Sequence, residues 1–336
     1  MREKKFASEI VHLSTEARLS ERELWLDFYH RLWAYARRIG HRSPHGTIIN
    51  DVIIAAVHHW AVLHDRPDCW ACKNANWQKP ESWLPFIGLP SQSSLSRRMR
   101  SDSVKALLDG FAKYLAHDVN NACDTLVKTV DSKPLPVGRY SNAKDARWGE
   151  ATKVKLRGYK LFCLYGRGVM PIAFEVSSMN ASDQRVGCRL VRQLAGTGTS
   201  GYVLGDGGFD PNRFYAECRA ANHQALAPRR HRGYGIKEET IHPDRRRAIE
   251  LLEGEPDGEG NCSGGSVFGK TLYGLRSGIE RKFSQLTGTG GGLGPLPNWV
   301  RWLPRVRRWV RAKLLLHAVR HLPKLARKQR TYVAAA

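Results

Sequence analysis

The chain has no run of about 18 uninterrupted apolar residues, the length a membrane-spanning helix needs. Its best candidate, residues 52–62, is broken by His58 and His59. A secretory leader is not expected either, because Met1, Arg2, Glu3, Lys4, Lys5 and Phe6 make a charged start that no apolar core follows. Cysteine is sparse: seven residues, at 69, 72, 123, 163, 188, 218 and 262, an odd number at irregular spacing. That pattern excludes a disulfide framework and fits a reducing cytosol. Cys69 and Cys72 have the spacing of half a zinc site, but a structural site takes four ligands and no second pair follows. With His58, His59 and His64 on a predicted helix, they read as buried thiols and surface histidines. Acidic residues are also in short supply, 31 against 54 Lys and Arg, for a formal charge of +23. The excess lies along the whole chain rather than in one tail, which points to a polyanionic partner, most simply nucleic acid, and not to a membrane.

What is present divides near residue 123. The first 122 residues read as helical, with Ile49, Ile53, Ala56, Val57, Trp60 and Leu63 at helical spacing. A turn-rich stretch with Pro80, Pro85, Gly88 and Pro90 follows, and then a short helix that Ser91 is placed to cap. Leu95 and Met99 would face inward on it, and Ser94, Arg97 and Arg98 outward. A helix-turn-helix candidate therefore spans 76–101, followed by an amphipathic helix through Val104, Leu107, Leu108, Phe111 and Leu115.

From residue 123 strands dominate. Residues 126–131 and 201–206 each read as a strand ending in an aspartate, 159–165 and 169–176 as two strands joined by a glycine turn, and 224–227 as a last strand. Helices are expected over 183–194, 212–221, 272–286 and 305–321. Residues 231–269, charged and glycine-rich, read as a poorly ordered short insertion, and 323–336 as a basic tail. In the final helix Trp302, Val306, Trp309 and Leu316 would pack inward, with Arg301, Arg305, Arg308 and Arg311 facing solvent or a polyanion. Three strands, helix, strand, helix, strand, helix is the order of a mixed α/β layer, here over 123–322.

Strand ends are where α/β sheets present functional groups. Asp131 and Asp206 occupy two such ends, and Glu280 lies on a predicted helix. Three carboxylates from separate elements are what a pair of hard divalent ions about 4 Å apart needs to activate one oxygen and stabilise another. Tyr273, Arg276 and Glu280, three and four residues apart, share one helical face with Arg281 and Lys282 beside it. A hydroxyl, a guanidinium and a carboxylate on one stripe suit a surface where metal and phosphate meet.

These blocks resemble a known family. Val130, Asp131 and Ser132, then the run from Leu204 to Asp210, then Tyr273, Arg276, Glu280, Arg281 and Phe283 are similar to the three signature blocks of bacterial insertion-sequence transposases of the DDE type, over about residues 89 to 317. The resemblance implies a ribonuclease-H-like mixed sheet with flanking helices, preceded by an all-helical DNA-binding region. It implies metal-dependent DNA cleavage and strand transfer, with Asp131, Asp206 and Glu280 as catalytic metal ligands for two ions per site, Mg2+ with Mn2+ as a substitute. The partners would be double-stranded DNA, both element ends and target, bound by a homodimer in the bacterial cytoplasm at the nucleoid. Ser93, Ser94, Arg97 and Arg98 would read or grip DNA from the 91–100 helix; Arg229 and Arg230 would line the channel; Tyr273, Arg276, Arg281 and Lys282 would touch DNA near the cut. Many members carry a Lys seven residues after the Glu, where this chain has Thr287; Lys282 or Lys270 would have to substitute. Asp210 and Asp124 are the alternatives to Asp206 and Asp131. A structure-selective nuclease of the same fold and a catalytically inactive DNA-binding regulator are the competing functions.

Overall fold

Ser20 accepts from the backbone N–H of Glu23 while Glu23 accepts from that of Ser20, and this reciprocal cap starts α1 (Glu21–Arg38). A computed structural model describes residues 19–44, 49–79, 83–86, 88–121, 126–138, 141–151, 154–230, 240–254, 264–288 and 292–334. Asn50 caps α2 (Asp51–Leu63), whose every residue is buried. The reading of its histidines as surface groups therefore fails. His59 lies flat on Phe28 with ring centroids 4.0 Å apart, and its Nδ1 pairs with the Ala55 carbonyl at 2.7 Å. Burial holds its pKa well below the usual imidazole range, so it is a neutral core group. His58 pairs with Asp68 at 2.8 Å. The thiols are misplaced the other way: Cys69 is exposed and Cys72 half-buried.

After α3 (Asp68–Ala71) and a 3-10 turn (Asn74–Trp77) come α4 (Gln92–Arg98) and α5 (Asp102–Asn121). Ser91 caps α4 as expected, and Leu95 and Met99 are buried. Among the described residues of 76–101, α4 is the one α-helix, so a first helix for the helix-turn-helix candidate would have to be the four-residue α3, outside that range.

The sheet follows, with β1 (Val127–Pro136), β2 (Arg147–Ala151), β3 (Val154–Tyr165), β4 (Ala173–Ser178), β5 (Gly201–Leu204) and β6 (His223–Leu226). β1 lies antiparallel to β3 and parallel to β5; β4 and β2 share the far edge of β3, and β6 lies parallel to β5. The order β4-β3-β1-β5-β6 is the ribonuclease-H-like mixed sheet; β2, which adds a ribbon to β3, was not anticipated. Nor does β1 end at Asp131. It runs five residues further because the long β3 keeps pairing with it to Pro136, while β5 stops pairing at Thr129. Val137 donates its N–H to Arg157 across the β3 side, so by alternation Pro134 and Pro136 turn their missing N–H to the open side.

The residue 159–165 run is apolar throughout because both faces of β3 are covered. Phe162 and Leu164 meet α6 (Asp183–Val191) and α7 (Asn212–Ala220). The 231–269 segment is not poorly ordered as a whole: Pro243 at the first turn and Ala248 and Ile249 on one buried face make α8 (Pro243–Glu253), packed on β6 and α7. The helix expected over 272–286 is two helices, α9 (Val267–Gly274) and α10 (Ser277–Gly288). They are joined by i to i−3 bonds at Leu275, Arg276, Gly278 and Ile279, a tightened turn at the point where the signature residues sit.

The last helix, α11 (Leu303–Ala334), is longer than expected and absorbs most of the basic tail. It packs on α1, α2, α5 and β4. One apolar cluster thus joins Trp25, Phe28 and Phe111 of the N-terminal helices to Tyr159 and Leu161 of β3 and to Val310 and Leu315 of α11. The two regions divided in sequence near residue 123 share a core. Arg311, expected outward, is buried and bonds Asp109, and Trp302, expected inward, is exposed because its left-handed φ of 70° turns it out before α11 begins.

Candidate active site

Thr129 of β1 and Leu204 of β5 are partners in the parallel ladder. Asp131 and Asp206 each lie two residues beyond that pair, so the two chains, running the same way, deliver both carboxylates to one end of the sheet. Asp131 sits opposite Cys163 and so points to the face on which α10 packs. Asp206 closes the 3-10 turn Gly207–Phe209 by accepting from the Gly208 N–H at 2.9 Å. Position 208 needs glycine for a steric reason: a Cβ there would stand 3.0 Å from the Asp206 carboxylate.

Glu280 projects from the first turn of α10 and is exposed. Arg276 links it to the sheet. One guanidinium nitrogen donates to Glu280 at 2.9 Å and another reaches Asp131 at 3.5 Å. The Tyr273 ring lies beneath the same guanidinium, 6.0 Å from its carbon to the ring centroid. Burial of Tyr273 pushes its hydroxyl pKa up.

The carboxyl of Asp131 is pushed up to about 6. Burial is the main cause; the Ser132 N–H opposes it, the negative charges of Asp206 and Glu280 add to it, and Arg276 opposes it. The three acids picked from the sequence therefore feel one another electrostatically. Among the described residues no three His, Cys, Asp or Glu side chains converge closely enough to hold an ion as they stand, and the positive charge between Asp131 and Glu280 is the guanidinium. The donor set nonetheless fits a hard divalent ion: carboxylate oxygens, no thiol or imidazole, and a buried acid whose charged form needs a nearby cation.

One carboxylate beside the site escaped the sequence reading. Asp183, in the first turn of α6, accepts from Ser132 Oγ at 3.3 Å and from Lys160 Nζ at 3.2 Å. It also borders Gly208, where an added Cβ would approach its oxygen at 3.6 Å. Ser182 and Asp183 read only as a helix start, and nothing local shows that β1 passes beside it. The alternatives fare differently. Asp210 is buried and clasped by Arg245 at 2.8 and 2.7 Å, so its oxygens are committed; Asp124 lies outside the described residues.

The basic residues separate into two groups. Arg281 and Arg230 are exposed, the second with its backbone against Gly207. On α4, Ser93 and Arg97 are exposed and Ser94 half-buried. Three others are turned inward. Arg98 does not face out: it is buried, bonding the carboxylate of Asp51 and the carbonyl of Ile49. Arg229 pairs with Glu253 at 2.6 Å, with both side chains about nine-tenths buried. Lys282 bonds the Gly166 carbonyl and lies 4.9 Å from the Tyr165 ring centroid. Thr287, where relatives carry Lys, spends its hydroxyl on the Phe283 carbonyl at 2.8 Å.

A family model described as a transposase DDE domain matches residues 123–293, just over half the chain. No curated protein matches by sequence. Among solved structures, a cryo-EM structure of a piggyBac transposase synaptic complex with hairpin DNA aligns with a TM-score of 0.43 at 11% identity, covering 92% of this chain and 75% of that one.

Proposed function

The chain belongs to the transposase DDE-domain family, enzymes that cut DNA and transfer strands with divalent metal ions, and from that premise we propose that Asp131, Asp206 and Glu280 are its catalytic carboxylates. The observation that carries this assignment is the register: Asp131 and Asp206 stand equally far beyond a paired position on neighbouring parallel strands, and Arg276 ties Glu280 to Asp131. The three acids would hold two Mg2+ ions, with Mn2+ as a substitute. Bound there, such ions supply Lewis-acid polarisation of a phosphoryl oxygen and a more acidic attacking hydroxyl or water.

The chain's own residues do the positioning. Once the carboxylates have another counter-charge, the Arg276 fork is released to hold a phosphate oxygen pair, an arrangement for which a planar guanidinium suits. Tyr273, against Arg276, limits where that fork can point. Holding the phosphodiester rigidly keeps a freed 3′ hydroxyl in line for the second reaction. Arg230 and Arg281 flank the cleft, and Ser93, Ser94 and Arg97 of α4 contact element-end DNA. Arg98, Arg229 and Lys282 are excluded from that role by their internal partners. Two copies act as a homodimer on paired ends, in the cytoplasm at the nucleoid; among the described residues no helix is long and apolar enough to cross a membrane. The test is to incubate the protein with Mg2+ or Mn2+ and DNA carrying the flanks of its own gene and to map the cuts. Cuts at the element boundary, joined to a supplied target, are expected; nicking that never leads to joining under either metal would replace transposase with nuclease.

A further inference from the structure

On the side of the sheet away from β5, a cavity of about 590 Å3 opens between the end of α4, α5, β4 and the start of α11. None of the residues lining it belongs to the acidic cleft. Its walls carry Arg100, Lys105, Arg307, Arg308 and Arg311, from three separate helical segments. Two acids share the lining, and neither offsets the rest: Asp109 accepts from Arg311, and Glu175 is held by Arg189 from outside the cavity at 2.9 and 2.6 Å.

The cations are placed rather than merely gathered. Arg307 Nε donates to the Val176 carbonyl at 3.1 Å and Arg100 Nε to the Ser96 carbonyl at 3.0 Å, so each fork is anchored by one nitrogen. Met99 and Arg308 also line an adjoining pocket of about 170 Å3 with Arg66, Arg305, Gln92 and Ser96. Gln92, Ser96 and Arg100, four residues apart, make one stripe of α4 and its end along this surface. The guanidinium of Arg308 is held below its ordinary pKa range, first by burial, with Asp68 opposing and Arg305, Arg100 and Arg311 adding repulsion. A bound anion would relieve that crowding.

We propose that this cavity is a second DNA-backbone site: it takes phosphodiester groups of duplex DNA outside the acidic cleft and reads no sequence. It rests on the reading of the chain as an enzyme acting on DNA, and adds where the duplex is gripped. Guanidinium forks match phosphate oxygens in geometry and charge, and contacts of this kind set register and affinity while base edges carry specificity. The cavity shares α4 with the exposed Ser93 and Arg97, so one helix would bring both kinds of contact to the same duplex.

The test uses the full chain and the triple variant Arg100→Gln, Lys105→Gln, Arg307→Gln, three exposed positions chosen so that the fold survives; a circular-dichroism melt checks it. Affinity for a short duplex is titrated by fluorescence anisotropy over a range of salt, on an element-end sequence and an unrelated one. Each lost phosphate contact lowers the slope of log affinity against log salt by about 0.9. A slope lower by about two and binding weaker by at least tenfold, equally on both sequences, are expected. Wild-type slope and affinity in the variant overturn the proposal, and an Arg308→Lys variant, which keeps the charge, must stay within a few fold of the parent. Inorganic phosphate provides a separate arm. If it raises the melting temperature of the parent but not of the variant, while DNA binding is the same in both, the cavity takes a free anion and the DNA assignment is overturned. Metal-dependent nicking by the parent is scored separately: if the parent nicks and the variant binds DNA normally, only this cleft falls, whereas a parent that neither binds nor nicks DNA removes the enzymatic reading as well.

Discussion

Arg276 and Asp131 face one another across the end of the sheet, a guanidinium nitrogen 3.5 Å from a carboxylate oxygen, while the same guanidinium donates to Glu280 at 2.9 Å. One side chain thus neutralises two of the three acids assigned to the metal. A cation entering between them has to displace a cation already there, so metal binding and the release of Arg276 are coupled.

That coupling gives opposite effects from one substitution. Arg276→Gln should bind Mn2+ several-fold more tightly in calorimetry, because it removes a competing positive charge; a change of about 1 kcal/mol is roughly fivefold. The same variant should impair strand joining beyond its effect on first-strand nicking by a further factor of about ten, or about 1.4 kcal/mol. Tyr273→Phe should shift the ratio the same way by less. Weaker metal binding in Arg276→Gln, or equal loss of nicking and joining, would show that Arg276 only supports the fold of the cleft.

Asp131 gives a stability prediction. Its folded pKa, about 6, lies above the unfolded value near 3.8, so the folded state holds the proton more tightly. The resulting destabilisation is absent below about pH 4, grows as pH rises through that window, and is complete above pH 6. Asp131→Asn should therefore be more stable than the parent at pH 8 in EDTA by about 1–2 kcal/mol, less than the full 1.36 kcal/mol per pH unit because the carboxylate is partly solvated. At pH 4 the two should be equal. Urea titrations at both pH values measure it, and a pH-independent difference would mean the carboxyl has no raised pKa.

Neighbouring arginines on α4 should behave differently. Asp51 is fully buried; burial works against its charge, but bonds from Ser103, Arg98 and His41 hold its carboxyl below the usual range. Arg98→Ala strands that charge and should cost about 3–5 kcal/mol of stability. Arg97→Ala should leave stability within about 0.5 kcal/mol and weaken binding to the element end by about 1–3 kcal/mol if it reads a base. Thermal melts and anisotropy titrations separate the two; an Arg98→Ala protein as stable as the parent would show the Asp51 pair to be dispensable.

The same pair shows where sequence reading stops. Leu95 and Met99 were legible as the inward face of α4 from their spacing, but Arg98 is turned in by an acid 47 residues away, which no local pattern encodes. Asp131 and Asp206 were legible because each follows an apolar strand-like run; their adjacency depends on β1 and β5 being parallel neighbours. Local pattern also misled at residues 231–269, where glycines and charges hid the buried Ala248 and Ile249 of α8. For α11, alternating Arg and apolar residues read as a two-faced surface helix, yet 311–319 is enclosed by α1, α2, α5 and β4, with Arg311 and Lys313 paired to Asp109 and Asp65. Tertiary packing decided those burials.

The central claim is that Asp131, Asp206 and Glu280 act together on chemistry rather than on affinity. Asp131→Ala, Asp206→Ala and Glu280→Ala should each reduce Mg2+-dependent cleavage of an element-end duplex by at least a thousandfold, about 4 kcal/mol, while anisotropy shows duplex binding within a few fold of the parent. The decisive measurement is the single-turnover cleavage rate of the three variants at saturating DNA. Loss of cleavage in all three with binding retained is the result expected; a variant that cleaves at near the parental rate would remove its residue from the site and contradict the assignment.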